Sequence, residues 1–326
     1  MKQSKKETSA YDPRVARVTY FGPRGTFTEE ALLSQPDLAA CEHVPQASVP
    51  EVIAAVERND FDSGVVPIEN MIEGSVSVTL DMLAFESELL IQREVDLPVS
   101  LNLCVRPGTA IGDIRRVLSF PHAVAQCRQF LARKLPRAEF RAANSTSDAA
   151  REVAKSKRSD QAAICNALAA EIYGLDVLAK AIEDHADNVT RFVVVGRGIP
   201  APTGHDKTTI VCFQRADRPG SLLAILQEFA ARAINLTKLE SRPTKRSLGD
   251  YCFFIDIDGH IADEIVADAL RNLMAKRVNV KFLGSYPVGG VGEETVHRRS
   301  QATKEWRSAT TWIDGLREQV RDGGLA

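Results

Sequence analysis

Apolar and polar positions along the first 200 residues alternate with two different periods. Short apolar runs predict buried strands, and apolar residues that recur every three or four positions predict helices. Val52, Ile53 and Val56, for example, recur at helical spacing. Ser48 and Glu51 precede and open this helix as a capping box. Strands that alternate with helices in this way are typical of an α/β fold with a mostly parallel sheet.

The predicted strands of this region share an apolar core and end at polar residues or glycine. They cover residues 15–21, 61–68, 116–120, 139–142, 161–164 and 192–195. Helices are predicted at 26–33, from 48 onward, and at 75–85, 121–135, 147–155 and 166–173. The β-rich segment 89–105 is longer than a usual strand of about 5 to 6 residues, so we expect it to cross between two lobes.

A second pattern begins after the glycine- and proline-rich segment 197–204, where we place a domain boundary. Its elements follow in the order βαββαβ, which predicts a ferredoxin-like sandwich with an antiparallel sheet. The strands are predicted at 207–214, 235–241, 251–257 and 278–285, and the helices at 220–232 and 262–276. Residues 1–14 predict a disordered tail. The polar tail 287–326 predicts one amphipathic helix, with apolar residues Trp306, Trp312, Ile313, Leu316 and Val320.

The composition and the spacing of residues argue against several classes of function. The net charge of -2 and the lack of a basic run argue against binding to nucleic acid or to a membrane surface. No apolar run reaches the roughly 20 residues of a membrane span. The six cysteines form no C-x-x-C pair, and the polar N-terminus is not a signal peptide, so we expect a cytoplasmic protein with reduced cysteines. No metal-ligand spacing occurs, and we predict neither metal nor cofactor.

Polar residues that can do chemistry cluster where predicted strands end, which is where open α/β sheets bind ligands. Thr190 and Arg191 directly precede the strand at 192–195. Arginine offers a fork of donors that fits a carboxylate, and threonine offers one rotatable donor. Three further groups follow other strands: Glu69, Asn70, Glu73 and Ser75; His122, Gln126 and Cys127; and Asn144, Ser145 and Thr146. The turn at 22–25 lacks the spacing of a phosphate-binding loop.

These groups belong to segments that resemble, in this order, the motifs of the bacterial monofunctional prephenate dehydratase family. The segments are 22–28 (GPRGTFT), 66–70 (VPIEN) with 73–76 (EGSV), 121–127 (PHAVAQC), 144–150 (NSTSDAA) and 188–192 (NVTRF). Segments 217–223 (DRPGSLL) and 235–243 (NLTKLESRP) look like the effector motifs of the family's ACT regulatory domain. Met71 departs from the family pattern, which commonly has serine there, so we give Met71 no polar role.

The resemblance implies a catalytic region at 15–197, similar in fold to two-lobed periplasmic binding proteins, and an ACT domain at 207–286. It also implies that prephenate is converted to phenylpyruvate, water and carbon dioxide. Thr190 would hydrogen-bond the departing hydroxyl, with a proton from Glu73 or His122, of which we prefer Glu73. Arg191 would bind the pyruvyl carboxylate, because binding the ring carboxylate would stabilise the ground state. Phe192 would form an apolar wall.

The resemblance also implies residues for a substrate site and for an effector site. The expected substrate contacts are Thr26, Phe27, Asn70, Ser75, Gln126, Asn144, Ser145, Thr146, Asn188 and Phe192. An L-phenylalanine site at a subunit interface of a homodimer or homotetramer is expected to use Asp217, Gly220, Ser221, Leu222, Asn235, Glu240 and Ser241. Two alternatives stay open: arogenate as the substrate, and a non-catalytic amino-acid sensor.

Overall fold

The computed structural model of the chain describes residues 16–213, 219–245, 250–289 and 308–318. The predicted tail 1–14, the effector candidate Asp217, and Trp306 and Val320 lie outside the described residues. The chain divides into two compact units, each built from separate segments. The first unit comprises residues 1–79 and 97–192, and the second comprises 80–96 and 193–326.

Strands and helices alternate through the first two thirds of the chain, as the periodicity predicted. The strands are β1 (Arg17–Phe21), β2 (Glu42–Gln46), β3 (Ser63–Asn70), β4 (Gly74–Ser75), β5 (Leu90–Pro98), β6 (Asn102–Val105), β7 (Arg116–Ser119), β8 (Glu139–Ala142), β9 (Gln161–Cys165), β10 (Asp176–Ala179), β11 (Val189–Gly196), β12 (Asp206–Phe213), β13 (Leu236–Pro243), β14 (Tyr251–Asp258) and β15 (Asn279–Pro287). The helices are α1 (Phe27–Leu33), α2 (Pro36–Ala39), α3 (Val49–Glu57), α4 (Ser77–Asp81), α5 (Pro121–Ala125), α6 (Arg128–Lys134), α7 (Thr146–Lys155), α8 (Ala167–Tyr173), α9 (Ser221–Ala230) and α10 (Glu264–Ala275). A π-helical turn, Met82–Glu86, continues α4, and helix also covers 308–317.

The first unit contains two α/β lobes, each with its own sheet. In the first lobe, β1 pairs in parallel with β2 and β3, β4 folds back on β3, and β11 lies next to β3. In the second lobe the order is β10-β6-β9-β7-β8, with β7 parallel to both neighbours and β6 antiparallel to both of its own. The cysteines of this sheet and of α5's end, namely Cys104, Cys127 and Cys165, are fully buried. Burial raises the pKa of Cys127 to about 12, so it packs as a small apolar group.

The second unit contains the predicted βαββαβ sandwich. Its sheet has the order β13-β14-β12-β15, and the pairings within it are antiparallel. Helices α9 and α10 pack on one face through buried residues such as Phe229 and Leu273. The observed bounds differ from the predicted ones by only a few residues. In the helix at 308–317, the side chains of Trp312, Ile313 and Leu316 are exposed.

Two sequence predictions are wrong in detail. The single helix expected at 121–135 is two helices, because the backbone of Cys127 is not helical. The carboxylate of Asp184 accepts from the Gln129 N–H in the first turn of α6, at 3.1 Å, and so stabilises a second helix start. The β-rich segment 89–105 contains two strands, β5 and β6, which belong to two different sheets as expected for a crossing segment. Strand β11 starts at Val189, so Thr190 and Arg191 lie within it.

The strands β2 and β4 were missed because they are short and largely polar, and β10 because it has only four residues, none of them fully buried. Strand β2 carries His43 and Pro45 and lies at the edge of its sheet, where a proline costs no ladder hydrogen bond. Its burial pattern has no fully buried residue, so it lacks the apolar run that identifies a central strand.

Segment 80–96 belongs to the second unit, although the predicted domain boundary lies at 197–204. The Lys207 ammonium and the Glu94 carboxylate form a buried ion pair of 2.9 Å. Gly284 has a φ of +145°, and a Cβ there would lie 2.5 Å from the carbonyl oxygen of Ile91, so only glycine allows this close approach. The segment therefore forms an ion pair with strand β12 and packs closely against strand β15.

At the start of this segment, Asp81 accepts hydrogen bonds from Arg242, at 2.9 Å, and from Lys245. Burial alone would raise the pKa of Asp81, but the hydrogen bonds from Lys245 and Arg242 outweigh it and lower the pKa. A carboxyl whose pKa is lower in the folded than in the unfolded state adds stability above its unfolded pKa. That stability is lost as the pH falls through the folded value.

We expect Asp81→Asn to lower the free energy of unfolding at pH 7 by about 1.5–3 kcal/mol, because charge-assisted hydrogen bonds to a buried group are lost. The difference from the wild type should be constant above about pH 4 and shrink below it. Urea unfolding at several pH values measures this. Asp314→Asn, at an exposed carboxylate of the helix at 308–317, is the control. A difference that stays constant below pH 4 would contradict the role of the Asp81 charge.

Candidate active site

The strand-to-helix turn after β1 joins the two lobes of the first unit. The carbonyl of Arg24 accepts hydrogen bonds from the Ser147 hydroxyl and, at 3.1 Å, from the Tyr173 hydroxyl. Gly25 has a φ of +81°, and a Cβ there would lie 3.1 Å from the Ala169 Cα. Close approach of the second lobe therefore requires glycine at this turn.

Helix α1, which follows this turn, places the first two predicted substrate contacts. The Thr26 hydroxyl accepts from the Glu29 N–H as the N-cap and is 8% exposed. Phe27 packs against the apolar core of the second lobe. Glu30 accepts from the Asn166 amide at 2.6 Å, and burial raises the pKa of its carboxyl despite this hydrogen bond. Thr26 thus caps its own helix, whereas Phe27 and Glu30 contact the second lobe.

Four side chains from both lobes form a closed set of hydrogen bonds, here called the amide ring: Asn70, Asn188, Gln126 and Glu73. Asn70 donates to Asn188 at 3.0 Å, Asn188 donates to Gln126 at 3.0 Å, and Gln126 donates to Glu73 at 3.2 Å. The backbone N–H of Glu73 closes the ring by donating to Asn70 at 3.0 Å. The structure therefore brings together four residues that are separated in the sequence.

Two further predicted residues attach to the amide ring. The second N–H of the Asn70 amide donates to the Thr190 hydroxyl oxygen at 2.8 Å. His122 Nδ1 lies 2.5 Å from the second carboxylate oxygen of Glu73. The His122 ring stacks on Phe120, with centroids 5.2 Å apart. The amide ring thus links Thr190 to the pair formed by Glu73 and His122. The Glu73 side chain is 38% exposed and the His122 side chain is 55% exposed.

Arg191 pairs with Glu69 rather than with the amide ring. Its guanidinium donates to the Glu69 carboxylate, with side-chain exposures of 18% and 31%. Successive side chains of a strand point to opposite faces, so Arg191 and Glu69 share one face while Thr190 and Asn70 share the other. Ser75 on β4 lies opposite Glu69 in the strand register. Phe192 is 2% exposed and packed in the core.

The remaining predicted substrate contacts lie at the start of α7. The Ser145 hydroxyl caps this helix by accepting from the Asp148 N–H at 2.9 Å. Asn144 is exposed and Thr146 is 9% exposed. Their contacts place them at a helix end, whereas the amide ring is formed by other loops. Phe120 was not singled out from the sequence, although an aromatic residue directly before Pro121 and His122 at a strand end was a usable signal.

The predicted effector residues lie on α9 and β13 of the second unit. Gly220 precedes α9 with a φ of +83°, and Ser221 and Leu222 form its first turn. The Asn235 amide donates to Asp258 at 3.1 Å. Glu240 pairs with Arg242 at 3.0 Å and with Lys238 at 3.3 Å, whereas Ser241 is exposed. In the part of the chain that the structure describes, no three His, Cys, Asp or Glu residues are grouped to hold a metal, and no helix is long and apolar enough to span a membrane.

Two protein-family models match consecutive regions of the chain, in the order that the motifs predicted. The family model described as prephenate dehydratase matches residues 18–199, and the one described as ACT domain matches 208–273. A prephenate dehydratase of Mycolicibacterium vanbaalenii is 44% identical over 316 residues, which cover 92% of this chain and 98% of that protein.

Two solved structures resemble most of the chain. Prephenate dehydratase from Arthrobacter aurescens, crystallised in complex with L-Phe, matches with a TM-score of 0.82 and 40% identity over 93% of this chain and 100% of that one. A protein described as GqqA, a novel type of quorum-quenching acylase, matches with a TM-score of 0.76 and 28% identity over 84% and 98%.

The region matched by the first family model contains the amide ring, Thr190 and the Glu73–His122 pair. The region matched by the ACT model contains the candidate effector residues of α9 and β13 that the structure describes. The matched length exceeds half of the chain, and the curated relative extends over nearly all of it. The chain therefore belongs to the prephenate dehydratase family.

Proposed function

We propose that the chain converts prephenate to phenylpyruvate in the cytoplasm, with Thr190, the Glu73–His122 pair and Arg191 acting on the substrate. The bond from the ring carbon to the hydroxyl breaks, a proton joins the departing oxygen to form water, and the ring carboxylate leaves as carbon dioxide. The electron pair of the broken carbon–carbon bond completes the aromatic ring. Aromatisation supplies the driving force, so the protein must orient the ring and assist the departing hydroxyl.

The observation that carries this proposal is the hydrogen bond from Asn70 to the Thr190 oxygen, 2.8 Å long. Because that oxygen already accepts from Asn70, the Thr190 hydroxyl proton is directed elsewhere. A hydroxyl has one donor, and here it can be given to the substrate's departing hydroxyl. A threonine alcohol is a weak acid, so the proton that forms water must come from a better source.

The Glu73–His122 pair is that source. His122 Nδ1 and the Glu73 carboxylate are 2.5 Å apart, and both side chains are partly exposed, so the pair can exchange protons with solvent. The Gln126 amide donates to the other carboxylate oxygen of Glu73. A carboxylate that accepts from two sides orients the imidazole beside it, and an oriented imidazole can act as a general acid.

Arg191, which lies on the other face of β11 from Thr190, would bind the carboxylate of the pyruvyl side chain where the substrate extends past the start of the strand. A guanidinium carries its donors in a planar fork that fits a carboxylate with two parallel hydrogen bonds, and the ion pair with Glu69 helps to orient that fork. The ring carboxylate is better left without a cation, because an interaction that is lost in the transition state slows its departure.

The second unit would bind L-phenylalanine and regulate turnover. This rests on the ACT match and on the Arthrobacter aurescens relative, which was crystallised with L-Phe. Gly220, at the entrance to α9, leaves room for close approach to the backbone, since a Cβ there would meet no atom within 4 Å. The exposed strand β13 lies at a sheet edge, which favours pairing of two copies in a homodimer or homotetramer.

We expect Thr190→Ala to raise the barrier by about 2–4 kcal/mol, or roughly 30- to 1,000-fold in kcat, because the contact to the leaving hydroxyl is lost. An ultraviolet assay of phenylpyruvate formation from prephenate measures this, with arogenate tested in parallel. Thr190→Ser keeps the hydroxyl and should retain most activity. Wild-type chain that forms no phenylpyruvate would refute the proposed function, and near-normal turnover of Thr190→Ala would refute the role of Thr190.

Arg191→Lys should raise KM about 10- to 100-fold with little change in kcat, because lysine cannot reproduce the two parallel hydrogen bonds of a guanidinium. Steady-state kinetics with prephenate separates the two parameters. Glu69→Gln is the matched variant, since it removes the charge of the partner and leaves the guanidinium. A loss confined to kcat in Arg191→Lys would contradict binding of the pyruvyl carboxylate.

Gly220→Ala should weaken L-phenylalanine binding by about 10-fold or more, because a methyl group would stand where the amino acid approaches the backbone. Calorimetric titration of the full chain measures this. Gly204→Ala is the control, since Gly204 also has a positive φ, +88°, and open space around its Cα. Equal effects of the two variants would show that backbone strain, and not a lost contact, is responsible.

A further inference from the structure

Asn188 was expected to contact the substrate, but its surroundings assign it another task. Its side chain is 2% exposed. Its amide oxygen accepts from Asn70 and its amide nitrogen donates to Gln126, each at 3.0 Å. Its backbone carbonyl accepts from the Val99 N–H at 2.8 Å. The amide is therefore bonded to protein groups on both sides and shielded from solvent, which leaves little access for a substrate group.

The orientation of each amide in the ring follows from two backbone N–H groups. Ile72 and Glu73 both donate to the Asn70 side-chain oxygen at 3.0 Å, so this atom must be the oxygen and the nitrogen must face the other way. The Asn70 nitrogen then requires an acceptor on Asn188, which turns the Asn188 nitrogen towards Gln126. The Gln126 oxygen accepts there, and its nitrogen is left to donate to Glu73.

We infer that Asn188 is a positioning residue: it transmits the orientation set by the loop at Asn70 to Gln126, and thereby keeps Glu73 a hydrogen-bond acceptor facing His122. With Glu73 accepting from both sides, His122 Nδ1 carries the proton of the shared hydrogen bond. The second ring nitrogen, Nε2, is then the atom that delivers a proton. This inference rests on the proposed function and names His122, rather than Glu73, as the proton donor to the departing hydroxyl.

Asn188→Asp tests the inference, because it replaces the donor to Gln126 by an acceptor of the same shape. The Gln126 amide must then turn over, and its oxygen faces the Glu73 carboxylate. We expect kcat to fall about 10- to 100-fold while KM changes less than about 3-fold. The acid limb of the pH profile of kcat should move to higher pH, since the Glu73 carboxylate loses a hydrogen-bond donor.

Asn102→Asp is the matched control for a buried carboxylate. Asn102 is 5% exposed, lies in the second lobe, and bonds through both side-chain atoms to backbone groups of Cys165 and Ala181. Its substitution should lower stability and leave the pH profile of kcat in place. If Asn188→Asp does not fold, Asn188→Ala, which removes both hydrogen bonds without adding charge, should show the same loss in kcat at nearly constant KM.

A second readout does not depend on activity. Nuclear magnetic resonance of the side-chain amides, with Gln126 assigned by its loss in Gln126→Ala, should show a displaced Gln126 signal in Asn188→Asp and an unchanged one in Asn102→Asp. A rise in KM with kcat preserved, or an unmoved Gln126 signal, would overturn the inference. Failure of the wild type to act on prephenate would instead refute the proposed function and leave the amide signals as the test of positioning.

Discussion

The first unit depends on the need to satisfy buried amide groups where its two lobes meet. An amide removed from water without partners costs free energy, and each member of the ring offers both a donor and an acceptor. Asn188 is nearly inaccessible to water and can be stable there only with partners on both sides. The ring therefore links the two lobes through hydrogen bonds and fixes the direction in which its donors point.

The direction of a hydroxyl donor matters for what the hydroxyl can do chemically. A hydroxyl group rotates freely in isolation and can donate or accept, so its role in a reaction is undefined until a neighbour occupies its oxygen. Asn70 does this for Thr190. The protein thereby obtains a hydroxyl donor of defined direction from an uncharged residue. Preorganised dipoles of this kind need no rearrangement when the bond breaks.

The sequence predicted the local elements well and their long-range contacts only by family resemblance. The helix cap at Ser48 and the left-handed glycine that ends α8, Gly174, depend on neighbours within a few residues and were visible in the pattern. The break between α5 and α6 depends on Asp184, more than 50 residues away. Asn70 and Thr190 are 120 residues apart, and no periodicity could reveal their hydrogen bond. The same fold also supports the acylase GqqA, so function must be read from the site.

Segment 80–96 has a practical consequence for dividing the protein. A chain shortened to the matched catalytic region would end at 199 and lose the sheet of the second unit. Glu94 would then keep its buried position without the cation of Lys207, and the backbone of Ile91 would lose its close contact with Gly284. A buried charge without a partner is costly. The part of the chain that follows the catalytic match therefore supplies the counter-ion for a carboxylate that this match includes.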